Sequence, residues 1–282
     1  MRLMRPKHRS ETEEEATNRT AVWLWLTLPI AILTVIATGS ELFVDDLFRG
    51  DASSFVAQAV GQDIVTLGVG LPALVVGALF AGRGSERARL IWLGVLVYLV
   101  YTYAIYAFQV RFNPLFLVYV ALLGCSLYAL IGGLATTDFE HIRARFTQKT
   151  PVRAASIFLC VVAVLFYFSW LGEVVPALLA GEIPESVVES GTPTSGVHVL
   201  DMACMLPAMI LTAVWLWHKR ALGYTLAGAL LTFMSVLALA IMAMMVSMGF
   251  YAQPVALGMA VVFGVVAAAS LGMVVWYLRG LK

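Results

Sequence analysis

The stretch Gly196–Arg220, GVHVLDMACMLPAMILTAVWLWHKR, runs apolar for the width of a bilayer and ends in His218, Lys219 and Arg220. About 20 predominantly apolar residues make one helical membrane crossing, so the spacing predicts a transmembrane helix over 197–217. Two of its residues are poorly tolerated in lipid. Asp201 lies one turn inside the leading edge, where an ionised carboxylate costs about 2.5–3.5 kcal/mol at bilayer depth. Pro207, near the middle, removes a backbone donor and frees an upstream carbonyl. Both residues need protein or water to face.

Seven further segments of the same kind lie near 21–40, 62–81, 90–108, 114–134, 155–178, 224–248 and 255–278. The chain is 61% hydrophobic and 12% charged, with a mean hydropathy of +0.90. Soluble chains average about 45–50% apolar and about 25% charged. The fold class expected is therefore all-α, a polytopic bundle of eight transmembrane helices whose first partner is the lipid bilayer. The net charge of +1 comes from short clusters between apolar runs and forms no basic patch, so no nucleic-acid partner is expected. Cys125, Cys160 and Cys204 stand alone in apolar surroundings and read as packing residues.

The connections divide the chain. Residues 83–89, 109–113, 218–223 and 249–254 are tight turns, whereas 41–61, 135–154 and 179–196 are longer. This gives an N-terminal extension over 1–20, a first four-helix unit over 21–134, a linker over 135–154 and a second four-helix unit over 155–282. The extension mixes charges of both signs, unlike a cleavable signal, and reads as cytoplasmic. Alternate connections differ sharply in Lys and Arg. One side carries Arg2, Arg5, Lys7, Arg9, Arg19, Arg83, Arg87, Arg89, Arg143, Arg145, Lys149, Arg153, Lys219, Arg220, Arg279 and Lys282, the other only Arg49 and Arg111. The positive-inside rule then places both termini in the cytoplasm of a plasma membrane.

Shifted on itself by about 130 to 140 residues, the chain shows three ordered matches, as internal repeats of transporters do. TGSELFVDDLFRGD (38–51) parallels WLGEVVPALLAGEI (170–183), aligning Glu41 with Glu173. LPALVVGALFAGR (71–83) parallels LPAMILTAVWLWH (206–218), aligning Pro72 with Pro207, and FNP (112–114) parallels AQP (252–254). With four spans per half, both halves enter the membrane in the same sense, which predicts a 4+4 parallel tandem repeat. The alternative is chance similarity between apolar segments.

Matched helix breaks point to a central binding site. Pro72, with Gly68 and Gly70 just before it, and Pro207 are expected to line that site, the freed carbonyls being those of Gly68 and Ala203. The competing reading is a pair of structural kinks. Glu41, Asp63, Glu173 and Asp201 all fall near the outer boundary and are expected to form one acidic mouth facing water, an ion or a basic ligand. Asp63 and Asp201 also suit helix starts. His198 stands three residues before Asp201 on the same helix face. In YLVYTYAIYAF (98–108), Tyr98, Thr102 and Tyr106 form a polar-tipped stripe suited to a ligand path or to helix packing. Arg111 neutralises part of the mouth or binds lipid headgroups. The small residues of the last two spans suggest a close-packed bundle or an oligomer face, and the methionines over 242–248 read as adaptable packing.

Catalytic signatures are missing. There is no HExxH, GxSxG or GxxxxGK[ST]. The histidines do not pair at one depth, and all four lysines lie outside the spans, which excludes a retinal Schiff base. DDLFRGD (45–51) lacks a second acidic motif. No enzyme activity, metal or cofactor is expected.

GQDIVTLGVGLP, YTYAIYAF, FNPLFLVYVALLG and HVLDMACMLPAMILTAVWLW together resemble a group of uncharacterised bacterial multi-pass membrane proteins, over about residues 60–235. The resemblance implies a bacterial plasma membrane and no particular chemistry. The function expected from the residues is a permease for a small solute, linked to a cation or proton. The alternative is a non-transporting sensor or accessory subunit with a membrane partner.

Overall fold

The computed structural model describes residues 22–44, 47–255 and 257–282. The N-terminal extension, with Asp45, Asp46 and Ala256, lies outside the described residues. Among the described residues, eight helices are long and apolar enough to cross a membrane: Val22–Phe43, Ser53–Ala81, Glu86–Gln109, Phe116–Ala135, Val152–Ala180, Gly196–Trp217, Ala221–Phe250 and Leu257–Arg279. They are the first to eighth spans below. The protein is thus an all-helical, multi-pass membrane protein. Among the described residues the one β pairing is an isolated bridge between Phe146 and Leu281.

Several helices outrun their apolar segments. The second begins at Ser53 rather than 62, so the long connection expected over 41–61 shrinks to the residues before Ser53. The added turns are polar in sequence, but their small residues pack. Ala57 and Gly61 are buried, and a side chain on Gly61 would strike the backbone of Ala243 and Met244 on the seventh span. The third span starts at Glu86 because Ser85 caps it, accepting the Ala88 N–H at 3.4 Å. The fifth runs to Ala180 and stops where Gly181 takes a left-handed conformation (φ 71°).

Within each half the packing is a closed ring. The first span touches the second and fourth, the second touches the third, and the third touches the fourth. The fifth touches the sixth and eighth, the sixth touches the seventh, and the seventh touches the eighth. The halves join where the third and seventh spans cross, where the seventh meets the N-terminal part of the second, and where the third meets the start of the sixth. The third and seventh are accordingly the core, 72% and 56% buried against 17% for the eighth.

Small residues set this joint, since they let helix backbones approach. A side chain on Gly94 would collide with the Ala229 carbonyl and Thr232, and one on Gly228 with Leu90. Gly61 faces Ala243, and Gly196 faces Gln109. Gly61 and Gly196 are 135 positions apart, as are Met244 and Gln109, which they face.

At the end of the bundle where the chain terminates, Asp138 caps a short helix, Phe139–Arg145, through the His141 N–H at 2.9 Å. Its Ile142 is buried with Leu90 and Leu281. Arg87 donates to the Leu281 carbonyl at 2.7 Å and Arg145 to that of Lys282 at 2.9 Å. The 135–154 linker is therefore docked on the bundle.

Candidate functional site

Both prolines act by changing the helix register. Thr66–Gly70 and Asp201–Met205 are π-helical turns, each followed at once by a Leu-Pro that restarts the α-helix. The Leu71 N–H bonds to the Thr66 carbonyl and the Leu206 N–H to that of Asp201, five residues back in both cases. In this register the carbonyl orphaned by Pro207 is that of Met202, not Ala203. Tyr167 on the fifth span supplies the missing donor at 2.8 Å, as a freed carbonyl in a membrane requires. π turns concentrate at functional sites.

The second of these turns forms part of a cavity wall. A cavity of about 560 Å³ extends from Ser190, Thr192 and Pro254 at the end opposite the C terminus down to Met209 and Phe233. It lies between the second, third, fifth, sixth, seventh and eighth spans. Its walls are mostly apolar, with Met205, Met244, Met245, Met248 and Phe263 among them, and its polar side carries Gln58, Gln62, Tyr101, Glu173, His198 and Asp201. Volume and lining match small-molecule sites, typically about 300–1,000 Å³ with a few convergent polar groups.

The polar side is held firmly. Trp170 donates its indole N–H to Asp201 Oδ2 at 2.9 Å, and its ring lies against that of His198, tilted by 48° with centroids 4.5 Å apart. His198 Nε2 lies 3.6 Å from Glu173 Oε2. Glu173 Oε1 accepts the Ser186 N–H at 3.0 Å, which ties the short helix Glu185–Ser190 to the fifth span. The π turn brings Asp201 to Trp170, and this is how an acid is kept within the sixth span.

Glu41 and Asp63 are elsewhere. Neither lines the cavity; both are buried between the first four spans, with their carboxyl groups in hydrogen-bonding reach of each other. Tyr119 donates to Glu41 Oε1 at 2.6 Å. Tyr103, Tyr106 and Tyr119 pack mutually around the pair with centroids 5.4–6.4 Å apart. The four carboxylates expected to form a single mouth therefore stand as two groups, one walling the cavity and one enclosed. Tyr106 touches both, since it also lines the cavity.

Tyr98 serves the framework. It is fully buried, and its hydroxyl lies 2.7 Å from Thr66 Oγ1. Thr66 donates to the Gln62 carbonyl at 2.9 Å, so Tyr98 is the donor to Thr66. Gln62 Nε2 in turn donates to Thr102 at 3.0 Å. Gly70 lies against the Tyr98 ring. Gly68 and Pro72 are exposed on the outside of the bundle, and Pro207 is half-buried beside the cavity-lining Leu206. Gly68, Gly70, Pro72 and Pro207 thus place other side chains and do not themselves line the cavity. At the loop end, Arg111 donates its backbone N–H to Asp51 at 3.2 Å.

Sequence reading did not single out Trp170, Tyr119, Gln58 or Gln62. Trp170 stands three residues before Glu173, on the same helical face, which was a usable signal. Tyr119 has none. No protein-family model, curated protein or solved structure matches the chain.

Proposed function

We propose that this membrane protein is a non-enzymatic permease whose cavity receives a small amphipathic solute with a cationic head. The observation that carries the reading is the cavity itself. A predominantly apolar chamber of about 560 Å³ has Asp201 and Glu173 on one wall, and each carboxylate keeps lone pairs beyond those used by Trp170 and Ser186. An organic cation with an apolar body satisfies both surfaces, whereas an anion meets uncompensated negative charge.

The same proposal includes a tandem duplication of four spans about a pseudo-two-fold axis along the membrane normal. The paired π turns, the paired glycine contacts and the matched rings of helices support it. With the Arg-rich end cytoplasmic, as the positive-inside rule requires, the cavity opens to the outside of a bacterial plasma membrane.

The test is thermal stabilisation and calorimetric binding of alkylammonium ions of increasing chain length, followed by uptake in proteoliposomes. Binding should tighten with chain length, and Asp201→Asn and Glu173→Gln should each weaken it at least tenfold. Unchanged binding in both variants overturns the assignment of the site. Binding without uptake overturns the permease and leaves a sensor of the same ligand.

A further inference from the structure

We infer that Glu41 and Asp63 form a proton-binding site, in which one exchangeable proton is shared between the two carboxyl groups within the first four spans. Glu41 is 7% and Asp63 2% exposed. Of their four oxygens, Glu41 Oε2 and Asp63 Oδ2 are buried without a partner. Two carboxylates taken out of water cannot both stay ionised without a counter-charge. Among the described residues no Lys, Arg or His pairs with either. A proton shared between the two carboxyl groups supplies a hydrogen bond where these oxygens have none and removes one of the two charges.

The surroundings are built to hold the charge that remains. Tyr119 already donates to Glu41. The hydroxyls of Tyr103 and Tyr106, on residues 2% and 3% exposed, have no partner. Both rings pack on that of Tyr119, the donor to Glu41, and both hydroxyls are available to donate. Among the described residues, the titratable groups facing the pair are these three tyrosines and, one turn deeper, Tyr98, which is committed to Thr66. The seventh span, packed on the second, has no charged residue from Ala221 to Phe250. Tyr106 and Gln62 also reach the large cavity, so the proton sits one side chain away from a solvent path.

This inference does not rest on the permease reading, because it concerns occupancy and not flux. The experiment is infrared spectroscopy of the full-length protein in lipid nanodiscs at neutral pH, in H2O and D2O, with sodium or choline as the salt. The expected result is a protonated-carboxyl C=O band that shifts in D2O and is indifferent to sodium. Glu41→Gln and Asp63→Asn should each abolish it, since either amide supplies the donor that the shared proton provides. Absence of such a band in the wild type overturns the proposal without recourse to any variant. So does a band that survives both substitutions, or one that sodium removes while raising the melting temperature, which makes the occupant a metal cation.

Discussion

The two polar groups differ in setting: one walls the cavity and the other is enclosed among the first four spans. A shift of 135 positions carries Asp63 onto His198 and Thr66 onto Asp201. Glu41 falls opposite Glu173. In the first half the facing pair is acid with acid, sealed under three tyrosines. In the second it is acid with imidazole, 3.6 Å apart, on the wall of a cavity. The position that binds the framework to Tyr98 in one half, as Thr66, presents a carboxylate to the cavity in the other, as Asp201. Which side chains surround an acid thus decides whether it is enclosed or faces a cavity. An acid on a cavity wall has space for a partner from outside the protein; an enclosed acid depends on its neighbours.

The largest effect should come from the joints that hold the halves together. Gly61 and Gly196 correspond, but a methyl on Gly61 meets backbone atoms of Ala243 and Met244, whereas one on Gly196 meets the side chain of Gln109. Backbone cannot yield without moving a helix, and overpacking of this kind costs about 1–3 kcal/mol or more. Gly61→Ala should lower the melting temperature strongly and reduce the yield of monodisperse protein. Gly196→Ala should cost about 1 kcal/mol, mainly through disturbance of the Gln109 bond to the Thr194 carbonyl. Thermal unfolding in detergent separates the two. Equal losses would mean that the correspondence of the two joints is deeper than their chemistry.

How much of this could be read from residues alone follows from the same contrast. Eight spans were legible because an apolar run of bilayer length is rarely anything but a membrane helix. The breaks at Pro72 and Pro207 were legible as breaks, though not as π turns. Whether a turn widens by one residue depends on a neighbour such as Tyr167 standing ready for the displaced carbonyl. The start of the second span at Ser53 was hidden, because hydropathy reads SSFVAQAVGQ as a loop and misses that Ala57 and Gly61 dock on the seventh span. The carboxylates were recognisable as burdens on the membrane. Their partition into two groups was not, since the depth of a residue says nothing about which helix it faces.

An intermediate effect is expected where the two groups hold their acids. Tyr119→Phe removes the hydroxyl that donates to a carboxyl which water does not reach, and hydrogen bonds to charged groups contribute about 1.5–3 kcal/mol. Trp170→Phe removes the indole bond to Asp201, but there a cavity water can substitute, so the loss should be about 1 kcal/mol or less. Melting temperatures of the two variants, compared with the wild type in the same detergent, give the order. A larger loss from Trp170→Phe would reverse the assignment of closed and open groups.

The smallest effect belongs to Asp51, on the connection that leads into the second span. Burial raises its pKa above the usual carboxylate range, and the Arg111 backbone bond and guanidinium charge offset only part of that rise. An acid whose folded pKa lies above its unfolded value binds its proton more tightly in the folded protein. Its contribution to stability is present while it is protonated and is lost as pH rises from the ordinary carboxylate range through the folded value. Asp51→Asn keeps an oxygen to accept the Arg111 N–H and does not titrate. The variant should therefore melt slightly above the wild type at neutral pH, with the difference shrinking as the buffer is made acidic. A variant less stable than the wild type at neutral pH would show that attraction to Arg111 outweighs burial at this loop, and would place the Asp51–Arg111 contact among the elements that hold the cavity's outer rim.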